Sequence, residues 1–245
     1  MIQRISSLTH PLVKHLVKLR KESNYRYQSN SLLFNGEKPI LELTSYIKRV
    51  IYSESYSKSM DLKRESYVVT EAIMQKISGL ISPEGIVAEM ELPILNSLTH
   101  CSRLLVLDAV SDPGNVGTLL RTALAFEWDA IFMLPGSCDL FNEKVVRAAR
   151  GAHFKISLCQ GGLSELKEII KNFQLSPLVA NLHGSEPHLL PKLEKKALVL
   201  GNEARGPCPE ILEFCTPVTL KMSSEVQSLN VAVAGAILLY TLNHL

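Results

Sequence analysis

The run Val231-Ala-Val-Ala-Gly-Ala-Ile-Leu-Leu-Tyr240 constrains this chain more than any other stretch. It is apolar on every face of a helix, yet falls well short of the ~20 residues that a membrane span needs. Such a helix has to be covered inside a globular domain. Its small residues (Ala232, Ala234, Gly235, Ala236) admit other backbone closely. Ser228 or Asn230 can cap it, because either side chain accepts from the N–H groups left over in a first helical turn. Ahead of it stand a short apolar strand at Pro217–Leu220 and a polar loop at Lys221–Gln227. A covered helix with a polar start makes a suitable wall for a ligand pocket.

The rest of the chain has to supply the cover. Its 245 residues, 46% hydrophobic and 20% charged, are enough for one large or two small domains with ample core. Thr9-His10-Pro11 reads as a helix start, with an apolar stripe through Leu12, Leu16 and Leu19 to about Lys21. Short segments follow: strands at Leu32–Phe34, Val50–Tyr52, Tyr67–Val69 and Ile86–Glu91, and helices at Pro39–Tyr46 and Glu71–Ile77, with a polar Ser/Lys-rich stretch between the second and third strands. They form a small α/β domain over residues 1–92. Residues 92–102 read as a linker.

From 103 to 245 the units lengthen. Strands at Arg103–Ala109, Ala130–Leu134, Lys155–Cys159, Leu178–Asn181 and Ala197–Leu200 alternate with helices ending at Phe126, at Asn142–Arg150 and at Leu163–Phe173. Strands alternating with helices imply a mostly parallel sheet covered on both faces. The five cysteines (Cys101, Cys138, Cys159, Cys208, Cys215) are odd in number and form no CxxC pair. That argues against a disulfide framework or a zinc site and for a reducing cytoplasm. Met1–Lys14 has no apolar core of signal-peptide length.

The net charge of +2 is uninformative, but its distribution is not. Residues 1–30 carry Arg4, Lys14, Lys18, Arg20, Lys21 and Arg26 against one acid, Glu22, and Tyr25 and Tyr27 flank Arg26. Cations beside stackable rings suit a nucleic-acid surface, as a solvated helix face also would. Lys144, Arg147 and Arg150, at i,i+3 spacing, repeat that choice on a later helix.

Ligands of open parallel sheets bind beyond the carboxyl ends of the strands, and three strand ends here carry unusual loops. The first is Asp112-Pro-Gly-Asn115-Val-Gly117, with Arg121 further along the same helix and Asn115 a candidate cap. The second is Leu200-Gly-Asn-Glu203-Ala-Arg205-Gly206. The third runs from Leu220 to Asn230. None is a GxGxxG or Walker A pattern. His153 and His183 have no nucleophile paired with them in sequence.

In order and separation these three segments resemble the motifs of the SpoU, or TrmH-type, RNA 2′-O-ribose methyltransferases of the SPOUT superfamily. The matching pieces are Asp112–Gly117 with Arg121-Thr122-Ala123, Leu200–Glu203 with Arg205-Gly206, and Ser228-Leu-Asn-Val231. Residues 144–152 resemble a weaker family segment, and the first ninety an L30e-like substrate-binding domain. The resemblance implies an α/β fold closed by a C-terminal trefoil knot. It also implies a homodimer with active sites near the interface, a ribosomal or transfer RNA substrate, and S-adenosylmethionine as donor. No metal and no membrane are expected. By the same resemblance Leu200, Gly201, Leu220, Met222 and Leu229 contact the donor, and Arg121 stands at the nucleophile, as base or as electrostatic stabiliser. Asn115 fixes loop or ribose, Glu203 orients Arg121 or substrate, Ser228 and Asn230 hold substrate or loop, and Lys144, Arg147, Arg150 and Arg26 contact RNA. A catalytically inactive RNA-binding protein on this scaffold, or methylation of a base, would share these features. Glu127, Ala204 and Lys221 depart from the pattern, where Gly, Gly and Pro are usual; a positive φ at Ala204 would carry a penalty.

Overall fold

The computed structural model describes residues 2–57 and 64–244. The middle of the expected Ser/Lys-rich stretch, 58–63, lies outside them, as does Leu245 at the end of the tail. Two compact units form. The first takes the chain up to Pro93 plus Phe141–Gly151, and the second takes Ile94–Leu140 plus Ala152 onward.

Up to Glu91 the elements are β1 (Ile2–Ile5), α1 (Pro11–Lys21), α2 (Ser23–Ser29), β2 (Ser31–Asn35), α3 (Glu37–Glu42), β3 (Ile47–Ser53), β4 (Glu65–Val69), α4 (Glu71–Ser78) and β5 (Ile86–Glu91). The rest runs β6 (Arg103–Leu107), α5 (Pro113–Ala125), β7 (Ala130–Met133), α6 (Glu143–Ala149), β8 (Ser157–Gln160), α7 (Leu163–Phe173), β9 (Ser176–Ser185), β10 (Lys196–Leu200), α8 (Pro209–Leu212), β11 (Thr216–Val218) and α9 (Val231–Asn243).

The first unit holds a mixed sheet of order β1-β4-β3-β5-β2. Its α1 starts where expected: His10 accepts from Leu12 N–H at 3.2 Å, with Pro11 in the first turn. Leu12, Val13, Leu16 and Leu19 are buried against α4 residues Ile73, Met74 and Ile77. Segment 141–151, expected in the second domain, packs here instead. Phe141 is buried and meets the Tyr27 ring edge-on at 5.8 Å, and Glu143 pairs with Arg20 at 3.0 Å.

Arg26 requires a correction. It was expected on an RNA-facing surface, but it is buried, and its guanidinium donates to the carbonyls of Leu19 (2.9 Å) and Arg20 (3.1 Å). Those carbonyls lie in the last turn of α1, where no intrahelical N–H reaches them. A charge spent that way is a cap, and RNA phosphate cannot reach it.

The second unit has six parallel strands in the order β11-β9-β10-β6-β7-β8. Leu104, Val106, Phe132 and Val199 face Leu166 of α7 and Ile211 of α8. The neighbouring residues in each strand point to the other face, where Leu200 meets α9. The chain runs outward from β6 to β8, then returns to build β9, β10 and β11 on the other side. The strand order therefore reverses at β6 and β10, and their following loops face each other.

Helix α9 begins where the sequence offers its cap. Asn230 (φ −53°, ψ 136°) accepts from Ala232 and Val233 N–H, so Asn230 rather than Ser228 is the capping residue. Gly235 is required by approach: an added Cβ would lie 2.5 Å from Leu119 Cδ2 and 2.6 Å from Leu200 Cδ1. The far end is held by buried polar groups. Lys196 Nζ donates to Leu242 O and Trp128 Nε1 to Leu239 O, and burial pushes the Lys196 ammonium below its usual pKa.

The described residues do not cover this helix all round. Val233, Ile237 and Tyr240 are 48%, 42% and 52% exposed and share one face at i, i+4, i+7. Among the described residues no helix is long and apolar enough to cross a membrane.

One departure in the sequence has a visible cost. Glu127, just past the end of α5, sits at φ +55°, a left-handed conformation costing a non-glycine residue ~1–2 kcal/mol. Glycine avoids that strain but loses more chain entropy on folding, so Glu127→Gly is expected to stabilise by about 0.5–1 kcal/mol. Calorimetry would read this as a melting midpoint about 1–4 °C higher; an unchanged or lower midpoint would refute it.

Candidate functional site

The loops after β6 and β10 are bound to one another by side chains that sequence places 88 to 100 residues apart. Buried Asp108 accepts from Cys208 N–H at 2.6 Å, and Asn202 Nδ2 donates to Ala109 O at 2.8 Å. Asn202 Oδ1 also accepts from the N–H groups of Ala204 (3.0 Å) and Arg205 (3.1 Å), folding 201–206 into a tight hairpin. Gly206 closes that hairpin at φ +72°; Ala204 is not among the positive-φ residues, so its expected penalty does not arise.

Glu203, at the tip, accepts four hydrogen bonds. Oε2 takes Ser111 N–H and Oγ–H (both 3.2 Å), and Oε1 takes Asp112 N–H (3.2 Å) and Asn115 Nδ2–H (3.0 Å). Partial burial pushes its pKa up, but the bonds from Asn115, from its own backbone, and from Ser111 and Asp112 outweigh that and hold it down at about 2. Glu203 was expected to orient Arg121 or the substrate; its four acceptor positions are instead filled by the α5 entry.

Asp112, not Asn115, caps α5, accepting from Asn115 N–H at 2.9 Å. This frees the Asn115 side chain to donate to Glu203 and to accept from Asn230 Nδ2 at 3.0 Å. Asn230 is itself the α9 cap, so Glu203, Asn115 and Asn230 join all three loops in one chain of hydrogen bonds. Arg121 lies on α5 about 9 Å along the axis from Asn115. It is exposed and makes no hydrogen bond or ion pair among the described residues.

The Glu203 arrangement predicts a pH signature. The carboxylate's folded pKa, about 2, lies below its ordinary 4.5, so its stabilisation is fully present above pH ~4.5 and fades as pH falls toward 2. The difference in melting midpoint between wild type and Glu203→Gln should be constant near neutrality and shrink through that window. A difference independent of pH would contradict the arrangement.

Beside the network, at the carboxyl ends of β9, β10 and β11, lies a cavity of about 510 Å³. All five expected donor-contacting residues line it: Leu200, Gly201, Leu220, Met222 and Leu229. Glu203 and Ser228 also reach it, whereas Arg121, Asn115, Asn230 and Lys221 do not. The third loop thus turns Leu220 and Met222 inward and leaves the departing Lys221 side chain outside. At Gly201 there is no room for a side chain, since a Cβ would fall 2.1 Å from Pro207 N.

Sequence reasoning set His183 aside as a base and missed Asn181 and Thr219; all three form part of the cavity wall. β9 extends to Ser185, past its expected end at Asn181, and that extension brings His183 there. His153 is buried, and burial, opposed by its hydrogen bond to Leu140 O, lowers its pKa to about 4, so it is a structural imidazole. Lys144, Arg147 and Arg150 are all exposed, but Arg150 (φ +48°) is the residue that ends α6, so only the first two share the helix proper. No group of three or more His, Cys, Asp or Glu able to hold a metal ion occurs among the described residues.

The chain is similar to known proteins throughout its length. It is 31% identical to the 23S rRNA (guanosine(2553)-2′-O)-methyltransferase RlmP of Bacillus subtilis, over 98% of this chain and 99% of that one. An uncharacterised tRNA/rRNA methyltransferase of Synechocystis is 27% identical over 98% and 93%. The fold matches the AdoMet-bound rRNA methyltransferase of Sinorhizobium meliloti with a TM-score of 0.88 at 23% identity, covering 99% and 98%. Residues 102–240, which contain all three loops and the cavity, match the SpoU rRNA methylase family, and the chain belongs to that family.

Proposed function

We propose that this protein transfers a methyl group from S-adenosylmethionine to a ribose 2′-hydroxyl of RNA. The observation that supports it is the Glu203–Asn115–Asn230 chain of hydrogen bonds standing at the rim of the Gly201 cavity. Similarity to RlmP favours ribosomal RNA over transfer RNA as the substrate.

The cavity suits the donor. Its volume is within the roughly 300–1,000 Å³ of small-molecule sites. Leu200, Leu220, Met222 and Leu229 supply apolar walls for an adenine, and the bare backbone at Gly201 permits close approach. S-adenosylmethionine supplies a methyl already activated by its sulfonium. What remains for the protein is to bring the hydroxyl in line, to leave its proton a path to solvent water, and to stabilise the negative charge that develops on its oxygen.

Glu203 is a poor general base, because its pKa is about 2 and its acceptor positions are filled; it positions the α5 entry and Asn115. Arg121 is the cation on that helix, with no ion-pair partner among the described residues. A guanidinium keeps its proton in proteins, so Arg121 acts electrostatically, toward the developing alkoxide. Ser228, exposed on the cavity wall, is placed to hold substrate.

The proposal extends to the fold. The first unit is an L30e-like RNA-binding domain, α9 is the threaded element of a trefoil knot, and Lys144, Arg147 and Arg150 contact RNA phosphates. The exposed Val233, Ile237 and Tyr240 face of α9 forms a homodimer interface in a cytoplasmic enzyme. Analytical ultracentrifugation tests the last point: wild type should sediment as a dimer and Ile237→Asp as a monomer. A monomeric wild type would refute it.

Titration calorimetry with S-adenosylmethionine tests the enzyme reading against an inactive RNA-binding scaffold. The protein should bind the donor; RNA binding without donor binding would favour the scaffold.

A further inference from the structure

The N-terminal cations read from the sequence separate, in the structure, into two sets. Arg4 pairs with Glu54 at 2.9 Å, Arg20 with Glu143 at 3.0 Å, and Arg26 caps α1 from inside. Lys14, Lys18 and Lys21 are exposed and have no ion-pair partner among the described residues. At i, i+4 and i+7 they fall within ~60° of arc and ~10 Å of axis on the outer face of α1. Leu12, Val13, Leu16 and Leu19 hold the opposite face in the core.

The middle lysine is preorganised. Lys18 Nζ sits 5.3 Å above the Tyr25 ring, whose hydroxyl lies 2.8 Å from His15 Nδ1. His15 Nε2 is in turn 3.1 Å from Glu89, a buried carboxylate that also pairs with Arg49 at 3.1 Å. A chain of contacts from the sheet to the surface thus holds one cation in place, which lowers the ordering cost of a contact there. Glu22 is the one acid in residues 1–30 and lies at the end of the row.

We infer that the Lys14–Lys18–Lys21 face of α1 is a phosphate-tracking surface on which the RNA substrate docks. This rests on the RNA-methyltransferase reading above. The row matches a polyanion in charge and repeat, because a nucleic-acid duplex presents phosphates every few ångströms along its axis. A membrane surface fits less well: α1 spends its apolar side on the core and has none left to insert in a bilayer.

The test uses the full chain and a fluorescein-labelled, mixed-sequence RNA hairpin, with dissociation constants measured across about 50 to 200 mM salt. Lys14→Gln/Lys18→Gln/Lys21→Gln should weaken binding and make the log–log salt slope shallower by about 2 to 3, at ~0.7–0.9 per lost phosphate contact. The triple Lys→Arg variant should keep the wild-type slope. Lys171→Gln/Lys192→Gln/Lys195→Gln removes the same charge from exposed positions of the second unit and should change the slope little.

Equal loss in both glutamine variants, or in neither, while wild type binds the hairpin, overturns the docking face and leaves the RNA-methyltransferase reading standing. A wild type that binds S-adenosylmethionine but not RNA overturns both. Loss of binding to phosphatidylserine vesicles, with hairpin binding intact, would assign the face to a membrane and overturn the inference.

Discussion

Arg121→Ala is expected to slow methyl transfer about 10²–10³-fold, the effect of removing one preorganised group at a developing oxyanion. Donor affinity should stay within a factor of about two, because Arg121 does not line the donor cavity. The side chain is exposed and makes no hydrogen bond or ion pair among the described residues, so its loss should leave the melting midpoint nearly unchanged. Arg121→Lys preserves the charge but not the planar fork and should fall between the two. Single-turnover kinetics at saturating donor separate these effects. Full-rate transfer by Arg121→Ala would remove Arg121 from the mechanism, and a large loss of donor affinity would mean that it acts in binding.

The second large effect concerns Gly201. A methyl group there would fall 2.1 Å from Pro207 N and 2.5 Å from both Gly206 C and Pro207 Cα. These are backbone atoms of the hairpin that forms one cavity wall, so the hairpin has to open. Overpacking of this kind costs about 1–3 kcal/mol in stability. Because the displaced backbone is the wall itself, a comparable share falls on donor binding, about 10- to 100-fold in dissociation constant. Gly206→Ala is the informative contrast. Gly206 needs its φ of +72°, yet a Cβ there would meet nothing within 4 Å. Its replacement should cost about 1 kcal/mol of folding stability and leave donor affinity nearly intact. Calorimetric titration of both variants would read the difference; equal losses would mean that Gly201 is required only for loop conformation.

The two glycines show what a sequence can and cannot reveal. That loop 201–206 was special could be read from its residue types. Which glycine serves approach and which serves φ could not, because approach depends on Pro207 folding back over Gly201.

The same distinction runs through the site. Asn115, Glu203 and Asn230 were identifiable as polar residues at three strand ends, and the hydrogen bonds join them. Their partners were not identifiable. Glu203 was expected to orient Arg121 or the substrate; the reversal of strand order at β6 and β10 gives its hydrogen bonds to the α5 entry. Asp112 won the cap from Asn115 because it stands at the residue before the helix, where a side-chain oxygen can reach back to the first-turn N–H groups.

In the fold, long periodic segments such as α1, α5, α7 and the β6 and β10 strands were legible. The four-residue β1 was not, because its strand partner is β4, more than sixty residues away. Nor was α2, whose Ser-Asn-Tyr-Arg-Tyr-Gln-Ser run carries little helix propensity and holds Arg26 against the end of α1. Charge alone marked Arg26 as a surface residue; its reach to two carbonyls made it an internal cap. In α9 the sequence required cover for an all-apolar helix, and the exposed Val233–Ile237–Tyr240 face shows that the described residues supply only part of it.

The central claim is methyl transfer to ribose. Its most direct test is to incubate the protein with methyl-labelled S-adenosylmethionine and unmodified ribosomal RNA, digest the RNA to nucleosides and locate the label by mass spectrometry. A single labelled 2′-O-methylnucleoside is expected, formed about 10²–10³-fold more slowly by Arg121→Ala. Label on a base, or none despite bound donor, would contradict it.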